Sequence, residues 1–317
     1  MLVNRVLIIG FGSIGQRHYS ILSRIAGIDV AVLSRRSKAL EDKNVMLFGD
    51  MISAFKQFKP TGVVVATETS NHYTVIESLL YYFSCSPFKI YLEKPLGLIE
   101  DYGAFCKMDQ KFLKCINIGF DLRFDEGLLF VRNVIKSGLY GRILHVLIEV
   151  GQDLRQWRPN RDYRQTMSAS ANLGGGVLYD LSHELDFSSY LFGFPKKISS
   201  LIYNTGILEI DGCDVVKIIY FSNEDISVSI SLDYHQKNVS RGLKIVFDRG
   251  DLYLDFIAKR IEFNKNEIFE YSSQSRDDRL LKSFEAFLNN DDSNICTFNQ
   301  GLENLSFIKL AHENNII

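Results

Sequence analysis

Val6-Leu7-Ile8-Ile9-Gly10-Phe11-Gly12-Ser13-Ile14-Gly15 is the stretch that decides the fold of this chain. Four consecutive apolar residues read as a buried strand, and three glycines in the spacing G-x-G-x-x-G follow without a break. A helix predicted over Ser13–Ile25 begins at once, with Ile14, Ile21, Leu22 and Ile25 on one face. A strand that enters a helix through this glycine spacing is the phosphate turn of a dinucleotide-binding βαβ unit. Gly10 permits the tight turn, Gly12 lets the backbone approach a pyrophosphate, and Gly15 lets helix and strand pack closely. The first helical residues, Ser13 and Ile14, offer unbonded N–H groups and a partial positive charge to the phosphates.

The same alternation extends over the first 120 residues. Strands are predicted at Arg5–Ile9, Asp29–Leu33, Gly62–Ala66, Lys89–Leu92 and Cys115–Gly119, and further helices at Met51–Phe58, Asn71–Phe83 and Ile99–Leu113. The strand runs are apolar throughout, as a parallel sheet covered on both faces requires. The pattern then changes. A helix at Asp125–Ser137 leads to a long strand, Arg142–Gly151, a polar loop, a Gly174-Gly175-Gly176 turn and a helix to Leu191. Beyond Pro195 the chain reads mainly as β: Ile226, Val228, Ile230, Leu232 and Tyr234 alternate with Ser227, Ser229, Ser231 and Asp233. Helices at Asp277–Leu288 and Gln300–Asn314 close it. At 317 residues the chain exceeds one core. The expectation is an α/β protein, with a Rossmann domain over 1–120 and an α+β domain over 121–317.

Composition narrows the function. The formal net charge of −2 gives no basic field for nucleic acid or an anionic membrane, so neither is expected as a partner. Five scattered cysteines without a CxxC indicate neither a disulfide framework nor a zinc site, and no metal is expected. The N-terminus lacks a signal-peptide pattern, and no apolar run approaches the ~20 residues of a membrane-spanning helix. A soluble, cytoplasmic protein is expected. NAD-preferring folds usually place an acidic side chain about 20 residues beyond the glycine turn, on the ribose 2′-hydroxyl. Ser34-Arg35-Arg36-Ser37 stands at the end of the second strand instead. Arginine binds a 2′-phosphate through charge-assisted hydrogen bonds, so NADP(H) is favoured over NAD(H).

Two segments go beyond a generic Rossmann fold. One is Ala66-Thr67-Glu68-Thr69-Ser70-Asn71-His72 followed by Glu93-Lys94-Pro95-Leu96. The other is Gly174-Gly175-Gly176-Val177-Leu178-Tyr179-Asp180-Leu181-Ser182-His183-Glu184-Leu185-Asp186. With the phosphate turn and Gly119-Phe120-Asp121-Leu122-Arg123-Phe124, the chain resembles the glucose–fructose oxidoreductase, inositol dehydrogenase and MocA family along essentially its whole length. That resemblance implies a second domain with a large, open-faced, mainly antiparallel sheet, which often forms the interface of a homodimer or homotetramer. It implies a substrate that is a sugar, an inositol or a sugar nucleotide, and a special, often cis, bond before Pro95. The reaction implied is reversible hydride transfer at a ring carbon.

The matching residues make physical sense. Lys94 ends a predicted strand, where doubly wound sheets place ligand-facing groups. Its ammonium stabilises charge on a substrate oxygen as hydroxyl becomes carbonyl, or protonates that oxygen in reverse. His183 is the candidate general base, since imidazole titrates near neutrality. Asp180 lies three residues earlier, so on one helix the two share a face, and its carboxylate orients the imidazole or holds the substrate. Part of the family separates the pair by four residues, which leaves open which of them meets the reacting oxygen. Asp186 is an alternative orienting partner. Thr67, Asn71, His72 and Glu93 are read as cofactor-contacting with Lys94, a helix-capping and packing role for Asn71 and His72 standing beside that reading. Arg123 is placed at the substrate.

Arg155-Gln156-Trp157-Arg158-Pro159-Asn160-Arg161-Asp162-Tyr163-Arg164 holds the chain's only tryptophan. Arginines recognise carboxylates and phosphates, and aromatic faces stack on sugars and bases. Trp157, Arg158, Tyr163 and Arg164 are therefore expected to read an anionic or nucleotide-linked sugar, with a structural loop bound up in its own salt bridges as the competing account. The block resembles a branch of the family associated with bacterial surface-sugar pathways. An imine or other carbonyl reductase of the same fold, and a non-catalytic NADP or ligand sensor, are the alternative functions.

Overall fold

The computed structural model of the protein describes residues 3–34, 45–157, 159–271 and 273–317. These divide into two compact units, one of residues 1–121 with 275–302, the other of 122–274 with 303–317.

The first unit runs through β1 (Arg5–Ile9), α1 (Ser13–Leu22), β2 (Asp29–Leu33), β3 (Met46–Phe48), α2 (Met51–Gln57), β4 (Gly62–Val65), α3 (His72–Cys85), β5 (Lys89–Leu92), α4 (Tyr102–Phe105), α5 (Gln110–Leu113) and β6 (Ile116–Ile118). The strands pair in parallel in the order β6-β5-β4-β1-β2-β3. Val6, Leu7, Ile8 and the three valines of β4 are wholly buried, which is why these runs carry no polar alternation. Two helices differ from expectation. Helix α1 stops at Leu22, where the Arg24 and Ile25 amides bond carbonyls three residues back and Gly27 turns the chain at φ +80°. The helix expected over Ile99–Leu113 is broken, because Asp109 leaves helical geometry to cap α5 through the Lys111 amide.

The second unit contains α6 (Glu126–Ser137), β7 (Ile143–Gly151), α7 (Val177–Asp180), α8 (His183–Phe192), β8 (Pro195–Tyr203), β9 (Val215–Ser222), β10 (Ser227–Asp233), β11 (Ser240–Phe247), β12 (Gly250–Asp255), β13 (Arg260–Phe263) and β14 (Asn266–Glu270). Its strands form one sheet in the order β14-β13-β12-β11-β7-β10-β9-β8, antiparallel at every pairing except β7 with β10. One face is buried: Val146, Ile148 and Val150 of β7 pack with Val228, Ile230 and Leu232 of β10. The other face is open. It presents Leu147, Ile219 and Phe221 to solvent, with Lys217 and Lys244 among them.

The chain then returns to the first unit with α9 (Arg276–Asn289) and β15 (Cys296–Thr297), and α10 (Phe298–Glu313) follows. The uninterrupted span 121–317 expected for the second domain is thus split. The cause is the apolar stripe of α9: Phe284 and Phe287 pack on the Tyr91 ring at 4.8 and 5.7 Å, and β15 adds an antiparallel edge to β6. Ser275 and Asp278 close a reciprocal capping box that starts α9 cleanly.

Candidate active site

In the first unit the strand ends place most of the expected residues along one edge of the sheet. Gly10 follows β1, Ser34 follows β2, Ala66 and Thr67 follow β4, and Glu93 and Lys94 follow β5. This is the carboxyl edge, where open parallel sheets bind ligands. Three glycines there have distinct reasons. Gly10 has φ +95°, and a Cβ on it would lie 2.6 Å from the Ala66 carbonyl oxygen. A Cβ on Gly15 would lie 2.3 Å from the Gly10 carbonyl oxygen. A Cβ on Gly12 would meet nothing within 4 Å. Gly12 thus caps α1 from an open position, without a side-chain cap bond, so the amides of Ser13 and Ile14 face outward at the helix start. Thr67 Oγ1 is buried beside Gly10 and bonds nothing among the described residues. An open glycine, a bare helix N-terminus and an orphaned hydroxyl are what a dinucleotide pyrophosphate and its neighbouring groups fill. The residues fit such a cofactor.

Arg35 and Arg36 lie outside the described residues. Asn71 takes the N-cap position of α3, but its amide bonds Glu68 at 3.3 Å rather than capping the helix. His72 is buried: Nδ1 lies 2.9 Å from the Pro95 carbonyl oxygen and Nε2 3.3 Å from that of Thr67. It therefore ties the ends of β4 and β5 together, the packing role that stood beside the cofactor reading. Burial holds its pKa below the ordinary histidine value against the two carbonyls and the Glu93 charge. The bond between Lys94 and Pro95 is cis.

Glu93 has a partner on α1 that its sequence context did not announce. Its carboxylate is buried and meets His18 Nε2 at 2.6 Å. Burial raises the Glu93 pKa, but the His18 contact and the charges of Lys94 and Arg276 outweigh it and hold the carboxyl below its usual range. His18 sits on α1 with its ring edge-on to Phe284 at 5.0 Å. A histidine inside the apolar stripe of the phosphate-turn helix, between Ile14 and Ile21, was the available signal for this pair.

In the second unit, Asp180 is the last residue of α7 and His183 the first of α8. The single shared helix face expected for them does not exist, since the chain turns through Leu181 and Ser182, with Leu181 at φ −100°, ψ 30°. Asp180 Oδ2 accepts a hydrogen bond from the Tyr234 hydroxyl at 2.6 Å, a partner no local pattern announces. Arg123, expected at the substrate, lies in the same unit. It is buried and forks onto both oxygens of Asp186 at 2.9 and 2.7 Å, with its guanidinium 4.5 Å from the centre of the Tyr190 ring.

The arginine-rich loop is largely bound up in itself. Arg155 forks onto Asp153, and Arg164 onto Asp162, with Glu209 as a third carboxylate. Tyr163 accepts the Glu209 amide at 3.2 Å. Arg158 lies outside the described residues. Arg164, expected to read an anion, is thus engaged by carboxylates, the nearer of them two positions away in the chain. Trp157 packs edge-on to Tyr234.

The two units are thus a dinucleotide-binding α/β domain and an open-sheet α/β domain, a pairing known in nicotinamide oxidoreductases. Residues 4–112 match the oxidoreductase family with an NAD-binding Rossmann fold, and residues 128–253 match the GFO/IDH/MocA C-terminal domain. The chain belongs to the GFO/IDH/MocA family. It is 24% identical over 194 residues to an uncharacterized oxidoreductase, YrbE, of Bacillus subtilis (59% of this chain, 53% of that protein). It is 24% identical over 192 residues to inositol 2-dehydrogenase of Rhizobium meliloti (59% and 54%). The match spans about half the length of these relatives. Among solved structures, an Agrobacterium radiobacter oxidoreductase in complex with NAD+, L-tartaric acid and magnesium superposes with a TM-score of 0.81 at 16% identity, over 99% of this chain and 96% of that one. The WlbA dehydrogenase of Bordetella pertussis, in complex with NADH and UDP-GlcNAcA, gives 0.79 at 16% identity, over 98% and 95%. These likenesses establish a shared fold.

Proposed function

We propose that the chain is a nicotinamide-dependent oxidoreductase that interconverts a hydroxyl and a carbonyl on the ring of a sugar, cyclic polyol or nucleotide sugar. The observation that carries this reading is the sheet edge of the first unit: an open glycine cradle after β1 and Lys94 after β5 share the same carboxyl edge, separated by β4. A nicotinamide dinucleotide supplies the hydride acceptor or donor there. The chain does the rest. Gly10, Gly12 and Gly15 with the Ser13 and Ile14 amides bind its pyrophosphate. Lys94 polarises the substrate oxygen, His183 removes the hydroxyl proton, and Asp180 positions the substrate or the imidazole. The names of the similar proteins, inositol 2-dehydrogenase among them, support a ring-hydroxyl substrate.

The finer parts of the reading rest on sequence. Arg35 and Arg36 favour NADP(H), Trp157, Tyr163 and Arg158 are left to meet the sugar, and building surface polysaccharide is the proposed setting. A cytoplasmic site of action is part of the proposal; among the described residues no helix is long and apolar enough to cross a membrane. The open apolar face of the second unit's sheet suits a homodimer or homotetramer.

The test supplies NADP+ or NAD+ with myo-inositol, UDP-N-acetylglucosamine or the corresponding UDP-linked uronic acid, and follows reduced cofactor by its near-ultraviolet absorbance. One of them is oxidised, and Lys94→Ala lowers turnover by about 10²–10⁴-fold with cofactor binding retained. Normal turnover in Lys94→Ala refutes the mechanism.

A further inference from the structure

In the second unit a line of contacts runs from the arginine-rich loop through the buried Tyr234 to Asp180. Tyr234 directly follows β10, is fully buried, and donates its hydroxyl proton to Asp180 Oδ2 at 2.6 Å. Trp157 stands edge-on to the Tyr234 ring, with centroids 5.2 Å apart and planes at 87°. Its indole nitrogen is buried and bonds nothing among the described residues, so a hydrogen bond does not fix the ring; aromatic packing does. The segment after Trp157 is locked onto α7 by the glycine turn: a Cβ on Gly175 would lie 2.1 Å from the Met167 carbonyl oxygen and 2.8 Å from that of Ser168. The Gly175 amide bonds the Ser170 carbonyl at 2.9 Å, and the Gly176 amide that of Ser168 at 3.1 Å.

Helix α7 is a single turn of four residues, too short to hold Asp180 by helical cooperativity. A carboxylate on such a support needs an outside anchor, and the Tyr234 phenol supplies one from the rigid sheet. Burial, reinforced by the Asp180 charge and hydrogen bond, drives the Tyr234 pKa well above its ordinary value.

We propose that Tyr234 is the positioning residue of Asp180, with its hydroxyl fixing the carboxylate and Trp157 holding the phenol, so that the arginine-rich loop acts on the reaction through its tryptophan. The proposal deepens the function proposed above and rests on the role given there to Asp180.

Two readouts on the same four proteins test it: wild type, Tyr234→Phe, Asp180→Asn and the double variant. The first is fluorescence. Trp157 is the only tryptophan of the chain, so emission reports that ring alone. Asp180→Asn shifts the emission spectrum when Tyr234 is present, and the shift is lost in the Tyr234→Phe background. The second is turnover with the substrates named above. Tyr234→Phe keeps the ring and its packing, so melting and cofactor affinity stay near wild type while kcat falls about 10–100-fold at nearly constant KM. In the Asp180→Asn background the same change alters kcat less than about twofold, because the two act as one unit. An emission response to Asp180→Asn that persists without the phenol overturns the coupling. Wild-type kcat in Tyr234→Phe, with the emission response intact, overturns the positioning role. Absence of turnover in the wild type refutes the oxidoreductase reading instead, and the emission cycle still decides the coupling.

Discussion

Alanine at Gly12 and alanine at Gly15 make a contrast that only the cradle geometry predicts. At Gly15 the new Cβ would stand 2.3 Å from the Gly10 carbonyl oxygen, a backbone atom that cannot rotate away. Relieving that contact means moving α1 by about 1 Å from its strand, and overpacking of this kind costs about 1–3 kcal/mol. At Gly12 the backbone angles, φ −72° and ψ −168°, suit any residue, and no atom lies within 4 Å of the added methyl. Stability in Gly12→Ala therefore stays within about 1 kcal/mol of wild type. The methyl instead occupies the space through which a pyrophosphate approaches the helix amides. Losing one or two charge-assisted bonds of about 1.5–3 kcal/mol each weakens NADPH binding by at least about tenfold. Urea unfolding and calorimetric titration with NADPH, run on both variants, separate the two effects. Wild-type affinity in Gly12→Ala, or equal destabilisation by the two alanines, refutes the reasoning.

Two further outcomes follow from buried groups. His18→Ala leaves the Glu93 carboxylate without its partner and lowers stability by about 3–5 kcal/mol, whereas Glu93→Gln, which still offers the imidazole an amide, costs less; urea midpoints rank the two. His72 has a folded pKa below its ordinary value of 6.5, so its share of stability is complete above about pH 6.5 and is lost as pH falls toward the folded pKa. Unfolding free energy should drop by up to about 1.4 kcal/mol per pH unit in that window, and His72→Asn should flatten the slope by one proton's worth.

How much of this was legible follows from the range of the interactions. Strands β1, β2 and β5 fall at their expected ends because an uninterrupted apolar run between turn residues is a local signal. The glycine turn is likewise local, and so are its consequences for α1. The break between α7 and α8 is not local, since Leu181 and Ser182 are not helix breakers; the packing of Gly175 against the Met167 and Ser168 carbonyls accompanies a turn that propensity does not announce. The return of α9 to the first unit depends on Tyr91 and His18, both far earlier in the chain. Arg123 and Asp186, 63 residues apart, pair by topology alone, and sequence reading assigned that arginine to a substrate. Arg155 and Arg164 carried a warning that was local: an aspartate precedes each by two residues, and each pair closes.

The central claim, that this chain works on a nicotinamide cofactor, is tested most directly by calorimetric titration of the wild-type protein with NADPH and with NADH. The account predicts saturable binding of both, tighter for NADPH, with that preference lost in Arg35→Asp. Tighter NADH binding would correct the reading of Arg35 and Arg36 alone, and binding of neither would contradict the account.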